Sequence, residues 1–397
     1  MTPPTTSPPF SLSDAAQVAA LVREKKVIVC CGAGGVGKTT TAAALGLAAA
    51  RAGRKVLVLT IDPARRLAEA MGIPASAAKP SPVPHDRLIE AGVEGGELHA
   101  WMLNPAAVFE SMVRRLSPSP ERAEKLLANR LYRHLSELVA GMQEYTAAEA
   151  LYELSTSNVY DLVVLDTPPS RNALEFLEAP GRLARFLDER ILGFFLPDGT
   201  RKRGFWKKAS ELVNGLFARV FGAQFYEELQ QFFGAASGMF ASMRVHAEGV
   251  KQLLSSREAA AFLLVTSPEQ AEIAEAVYLR DKILSMDLPF AGFVLNRSYA
   301  FAGGFREPEC VELPPDATDA AKTGLAKLVA LARDERRRVE RDRGLLARLK
   351  EHSPQGAVAI AAPHLGEAIE DLRGLMRLAQ GLTEGDLPEA AQPTIQA

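Results

Sequence analysis

Short runs of β-branched and leucine-rich residues recur along the chain, each bounded by turn-forming residues. They fall at Val27–Cys31, Lys55–Thr60, Asp161–Leu165, Ala261–Thr266, Ala291–Leu295 and Ala357–Ala361. Apolar and polar positions alternate little within them, which marks strands covered on both faces, as in a parallel sheet. Helical patterns such as Ala42–Arg51 lie between several of these runs and can serve as crossovers. The expected fold class is α/β, a doubly wound and mostly parallel sheet carrying an inserted helical subdomain.

Two long stretches, Pro105–Ser157 and about Gly181–Ser256, have helical periodicity and no strand signal. The chain therefore divides into a tail (1–11), a first core segment (12–104), a helical insertion (105–157) and a short core strand region (158–180). A helical, Phe- and Met-rich subdomain (181–256), a second core segment (257–380) and a tail (381–397) follow. The two tails are set apart by their Pro, Thr, Gln and Glu content. No internal repeat is visible.

Composition narrows the class. The 397 residues are 47% hydrophobic and 24% charged, which excludes a fibre and wholesale disorder. A net charge of −2 offers no global attraction to nucleic acid or an anionic membrane, so no nucleic-acid partner is expected. The longest apolar run, Thr39–Ala50, falls well short of the ~20 residues of a spanning helix, so no integral membrane segment is expected. Met1–Phe10 lacks the basic start of a secretory signal. Three cysteines, with Cys30 and Cys31 adjacent, make neither a disulfide framework nor a zinc pattern. The expected setting is cytoplasmic, with peripheral membrane contact left open.

The first strand runs into Gly32-Ala33-Gly34-Gly35-Val36-Gly37-Lys38-Thr39-Thr40-Thr41 and then a helical pattern. This is G-x-x-x-x-G-K-[ST] in the strand–loop–helix setting that a phosphate-binding loop requires. Glycines let backbone N–H groups converge on phosphate oxygens, and the helix N-terminus adds partial positive charge. Lys38 can reach the β/γ-phosphates, Thr39 can ligate Mg²⁺ and Thr40 can bond an α-phosphate oxygen. ATP and Mg²⁺ are the expected ligands of a P-loop NTPase fold. Cys30 and Cys31, next to this loop, read as small buried strand residues.

Asp62, in Thr60-Ile61-Asp62-Pro63-Ala64-Arg65-Arg66, and Asp166, in Val163-Val164-Leu165-Asp166-Thr167-Pro168-Pro169, each end a strand. Carboxylates at the C-terminal edge of a parallel sheet face its ligand crevice. One can position the attacking water while the other holds Mg²⁺ or its waters; either can instead cap a turn or helix.

These motifs resemble the anion-transporting ATPase family, which includes the bacterial arsenite-pump ATPase and the guided-entry ATPase for tail-anchored membrane proteins. MinD and ParA stand beside it among dimerising P-loop ATPases. The likeness covers most of residues 25–380. It rests on Gly34–Thr40, Asp62-Pro63-Ala64 as switch I, and Asp166-Thr167 with Pro169 as switch II. Asn296 after Gly292–Leu295, and Ala362-Pro363-His364-Leu365 before Glu367 and Arg373-Gly374, complete it. An actinobacterial and myxobacterial branch shares the Cys-Cys-Gly-Ala-Gly-Gly-Val-Gly-Lys-Thr-Thr-Thr loop. The resemblance implies that Asp62 orients water, that Asn296 hydrogen-bonds adenine and that Pro363 lines its face. An amide also suits a purine edge on its own chemistry, being donor and acceptor at once.

Three departures stand out. The family's loop usually begins Gly-Lys-Gly-Gly, with a signature lysine that reaches the partner's phosphates; here Ala33 takes that place. The Cys-x-x-Cys that holds zinc across the eukaryotic dimer is missing, and Cys310 stands alone. With two of three cysteines committed to the first strand, the thiolates that As(III) or Sb(III) would want are absent, so arsenite stimulation is not expected.

Ten of the 18 phenylalanines lie between Phe186 and Phe240, so aromatic content is concentrated in one region. Within it Leu216, Phe217, Val220, Phe221, Phe225, Leu229, Phe232, Phe233 and, beyond, Met243 recur at helical steps. A packed helical core and a groove for an apolar client helix are both consistent with that stripe. Arg201–Lys208 places five basic residues around Phe205-Trp206, either a solvated loop or a contact for anionic lipid or acidic client flanks. Arg333–Arg343, charged at ten of eleven positions, reads as a solvated helix laced by i,i+4 pairs.

The expected function is a Mg²⁺-dependent ATPase that couples nucleotide state to dimer rearrangement and to an apolar client or membrane-protein partner. The dimer is either a homodimer or a heterodimer with a paralogue bearing the signature lysine. Two alternatives remain open, the energising subunit of an anion exporter and a nucleotide-gated scaffold of the partition type.

Overall fold

The structure is a computed structural model. It describes residues 12–61, 65–74, 79–129, 141–169, 176, 178, 242–301, 311, 313–366, 369 and 371–385. Among these residues eight strands form one sheet, in the order β3-β4-β2-β5-β1-β6-β7-β8. They are β1 Val27–Cys31, β2 Lys55–Thr60, β3 Ser81–Pro82, β4 Glu97–Met102, β5 Leu162–Asp166, β6 Ala260–Thr266, β7 Phe290–Ser298 and β8 Val358–Pro363. All pairings are parallel except that of the two-residue β3 with β4.

The strands are apolar throughout because both faces are covered, and the two faces sort by residue parity. Ile28, Cys30, Val56, Val58, Leu263 and Val265 point into one layer. That layer contains α1 (Leu12–Glu24), α2 (Lys38–Arg51) and α11 (Leu372–Thr383). Val27, Val29, Cys31, Leu57, Leu59, Phe262 and Leu264 point into the other. There they meet α7 (Gly141–Thr156), the helical residues 242–255 (α8) and α9 (Gln270–Ser285). The remaining described helices are α3 (Arg65–Met71), α4 (His85–Glu90), α5 (Pro105–Leu116), α6 (Pro120–Ala128) and α10 (Asp319–Glu351).

The doubly wound α/β architecture is as expected. Both β1 and β2 have the expected bounds, whereas β5 begins and ends one residue later and so includes Asp166 itself. The strand β4 was not legible as an apolar run, because Glu97 and His99 interrupt it at the sheet margin. Its neighbour β3 is two residues ending in Pro82, a residue confined to sheet edges. The helix after the P-loop starts at Lys38, four residues before the expected Ala42. The last helix runs to Thr383, past the expected tail boundary, because Leu382 is fully buried against the sheet.

The long α10 departs from expectation in one respect. Its charged stretch carries ion pairs such as Arg337–Asp334 and Arg338–Glu335, at i,i+3 spacing, but it is not all solvated, since Asp342 is fully buried. Helices α5, α6 and α7 occupy the expected helical stretch. A buried carboxylate, Glu149 on α7, joins Arg115 of α5 (2.7 Å) and His246 of α8 (2.7 Å). Among the described residues no helix is long and apolar enough to cross a membrane.

Most of the Phe-rich stripe and all of Arg201–Lys208 lie outside the described residues. Met243, the last of the stripe, is buried.

Candidate functional site

The central strand β1 has β5 on one side and β6 on the other, so chain connections diverge at its C-terminal end. Open α/β sheets bind ligands at such a point. Residues 32–37 fill it. Gly32 has φ +153°, and a Cβ there would sit 2.1 Å from the Val265 carbonyl oxygen of β6, so only glycine fits between loop and strand. Gly37, at φ +92°, turns the chain into α2, and its amide plane places Gly37 O to accept from Thr41 N.

Lys38 is buried, and its ammonium donates to the Ala33 carbonyl at 2.7 Å, so the cation lies within the loop that precedes it. Thr39 Oγ1 donates to Asp166 Oδ2 at 2.5 Å. Thr60 Oγ1, from the end of β2, donates to the same oxygen at 2.9 Å. The sheet register explains this convergence, because Asp166 pairs with Cys30 on one side and Thr60 on the other. Asp166 is fully buried. The hydroxyl of Thr39 and the carboxylate of Asp166 are the hard oxygen donors that Mg²⁺ takes, held at the helix N-terminus where phosphates would bind. The residues present thus fit a magnesium–nucleotide ligand.

Thr167, which follows Asp166, returns both its N–H (3.2 Å) and its hydroxyl (2.9 Å) to the Cys30 carbonyl, fixing the start of the switch segment. Burial pushes the Cys30 thiol well above its usual range, with the Asp166 carboxylate adding to the effect. Burial likewise pushes Cys31 up to about 12, against the pull of Thr167 and Lys38. Both thiols therefore stay protonated, as expected for small core residues. They also face opposite layers of the sheet, so they cannot chelate one soft metalloid ion together.

Asn296 reaches the same site from β7. Its Nδ2 donates to the Val36 carbonyl at 2.8 Å across 260 residues of sequence. A Cβ on Gly37 would lie 2.0 Å from that nitrogen. The expected adenine partner is thus packed onto the P-loop backbone, where its donor is engaged by the loop. It gets there through a bulge, since Leu295 pairs with Ala361 but the next pairing joins Ser298 to Pro363. Arg297 within the bulge sits at φ +57°. Bulges re-aim side chains in this way beside active sites. Pro363 ends β8 next to it.

Gly34, Gly35 and Thr40 lie on the open side of the loop, while Val36 and Ala33 are buried beneath it. Asp62 and Pro63 lie outside the described residues, as do the side chains of Arg65 and Arg66 and the whole of Arg171. Sequence reasoning missed Thr60; its signal was one hydroxyl ending an otherwise apolar run two residues before Asp62.

Residues 25–310 match the family described as anion-transporting ATPase. The chain belongs to that family. Among curated proteins it is 34% identical over 152 residues to the Streptomyces coelicolor protein SCO2128, covering 38% of this chain and 36% of that one. It is 24% identical over 272 residues to the Mycobacterium tuberculosis ATPase BagA, covering 66% of this chain and 62% of that one. The chain thus spans between about a third and three-fifths of the length of these relatives.

Proposed function

We propose that this family member is a Mg²⁺-dependent ATPase whose nucleotide state sets the geometry of a dimer and the capture or release of an apolar client segment. The observation that carries the chemistry is the meeting of Thr39, Thr60 and Asp166 on one oxygen beside Lys38. Backbone N–H groups of 34–38 would cradle the phosphates, and Lys38 would leave the Ala33 carbonyl for the β/γ-phosphate oxygens. Thr39 and Asp166 would hold magnesium, which supplies neutralisation of the phosphate charge. Asp62 would orient the water whose oxygen attacks the γ-phosphorus as the bond to the β-phosphate oxygen breaks.

The client reading is supported by the concentration of Phe between Phe186 and Phe240, ten of the 18 in the chain. Ala33 bears on the partner. A cation supplied across a dimer is worth on the order of 10³–10⁵ in rate in phosphoryl transfer, and alanine supplies none. A mixed dimer with a Gly-Lys-Gly-Gly paralogue would restore it to this chain's site. Otherwise Arg65, Arg66 or Arg171 would serve.

The test compares Lys38→Ala with Asp62→Asn, reading nucleotide affinity and phosphate release separately. Lys38→Ala is expected to abolish tight ATP binding, and Asp62→Asn to keep it while hydrolysis stalls. Equal loss of binding in both would make Asp62 structural and overturn its assigned role.

A further inference from the structure

The bulge that aims Asn296 at the P-loop is strained, because Arg297 holds a left-handed conformation without being glycine. Such conformations persist only where the surroundings over-determine them. The restraint comes from α10, over forty residues further along the chain. Asp342 Oδ2 accepts from Tyr299 N at 2.8 Å and from Ser298 Oγ at 3.3 Å. Arg343, the next residue, donates from Nε to the Ala300 carbonyl at 3.3 Å. Arg341 Nε donates to Asp342 Oδ1 at 2.9 Å, which compensates the buried charge. Leu345 and Leu346 of the same helix pack with Leu295 and Ala300, so the helix grips the chain on both sides of the bulge. On the far side Tyr299 stacks on His364 with centroids 4.8 Å apart, and the Ser298 carbonyl accepts from His364 N at 3.0 Å.

A fully buried carboxylate is expensive to keep, and replacing buried ion pairs by well-packed hydrophobic residues is often neutral or stabilising. Apart from Arg341, its partners are the Ser298 hydroxyl and the Tyr299 N–H, groups of the two residues that follow the bulge. We propose that Asp342 is a positioning residue for nucleotide binding. It locks the 296–297 bulge and so holds the Asn296 amide on the Val36 carbonyl, which fixes the turn at Gly37. The inference rests on the reading of the P-loop as the ATP site.

A double-mutant cycle tests it, with the affinity of the full chain for a fluorescent ATP analogue as readout and melting temperature recorded alongside. Asn296→Ala and Asp342→Ala are each expected to weaken binding about tenfold, as coupled neighbours do. The double variant should bind no more weakly than Asn296→Ala alone, because Asp342 acts through that amide. Asp342→Asn, whose amide oxygen can still accept from Tyr299 N, should recover most of the affinity. A purely structural role would lower melting temperature in every background and give additive losses, which overturns the proposal. So would unchanged affinity in Asp342→Ala. Should that variant fail to fold, Ser298→Ala carries the same cycle, with a loss of about threefold that vanishes in the Asn296→Ala background. Wild-type protein that binds no ATP would defeat the nucleotide reading itself, whereas additivity defeats Asp342 alone.

Discussion

Replacing Thr60 by valine removes one hydroxyl and almost nothing else. Valine keeps the β-branched shape of the last residue of β2 and its backbone place between β4 and β5. The lost contact is a 2.9 Å hydrogen bond to a carboxylate that is 0% exposed, from a donor that is 1% exposed. A hydrogen bond to a buried charged group contributes about 1.5–3 kcal/mol, and that is the destabilisation expected in urea melts. A second effect should appear at the ligand. Oδ2 would keep its 2.5 Å contact with Thr39 but lose the one that orients it from the opposite strand. Partners of this kind typically change metal affinity 10–100-fold, so the Mg²⁺ concentration at half-maximal nucleotide binding should rise by roughly that factor. Thr60→Ser, which restores the hydroxyl, should return both quantities close to wild type. An unchanged Mg²⁺ midpoint in Thr60→Val, or equal damage from serine, would refute the assignment.

Other outcomes follow from the same geometry. Cys31 ionises near 12 when folded and near 9 when unfolded, so its contribution to stability is full below pH 9 and drains away as pH rises toward 12. The loss should approach ~1.4 kcal/mol per pH unit per such thiol, measurable by urea melts across that range. On a Cys310→Ser background, neither strand thiol should react with a thiol reagent at pH 8 until the protein is unfolded. Glu149→Gln should destabilise the junction of α5, α7 and α8 by about 1.5–3 kcal/mol, tempered because Arg115 is partly exposed. Adding a Gly-Lys-Gly-Gly paralogue from the same genome should stimulate the ATPase strongly, and changing its signature lysine to alanine should abolish the effect.

The phosphate loop was legible because its parts are contiguous. A strand, a turn of glycines, a lysine and a helix are written in one stretch, and each has a local physical reason to be there. Asp166 was legible for a related reason, as a charge ending an apolar run. Thr60 and Asp342 were not, because each acquires meaning only across the fold. Asp342 lies in a run whose charges otherwise suit solvent, but Val339, Leu346 and Leu349 stand around it at three- and four-residue steps. That spacing puts it on the buried face of α10, a signal that a composition-led reading of the stretch passes over. Asn296 was found through resemblance and one amide's chemistry. The bulge that aims it left no local trace, since Arg297 is not a residue that announces a left-handed turn.

The position of β1 between β5 and β6 also dictates when this site can exist during synthesis. The loop ends at Lys38, but the strands that flank it end at Asp166 and Thr266, and the amide that packs on it is residue 296. At typical translation rates of about 5–20 residues per second, the 260 residues between Val36 and Asn296 take on the order of 13–52 s to emerge. Until Thr266 has emerged, for most of that interval, β1 has no permanent neighbour on its β6 side. The P-loop therefore acquires its full set of contacts only once the second half of the sheet has arrived.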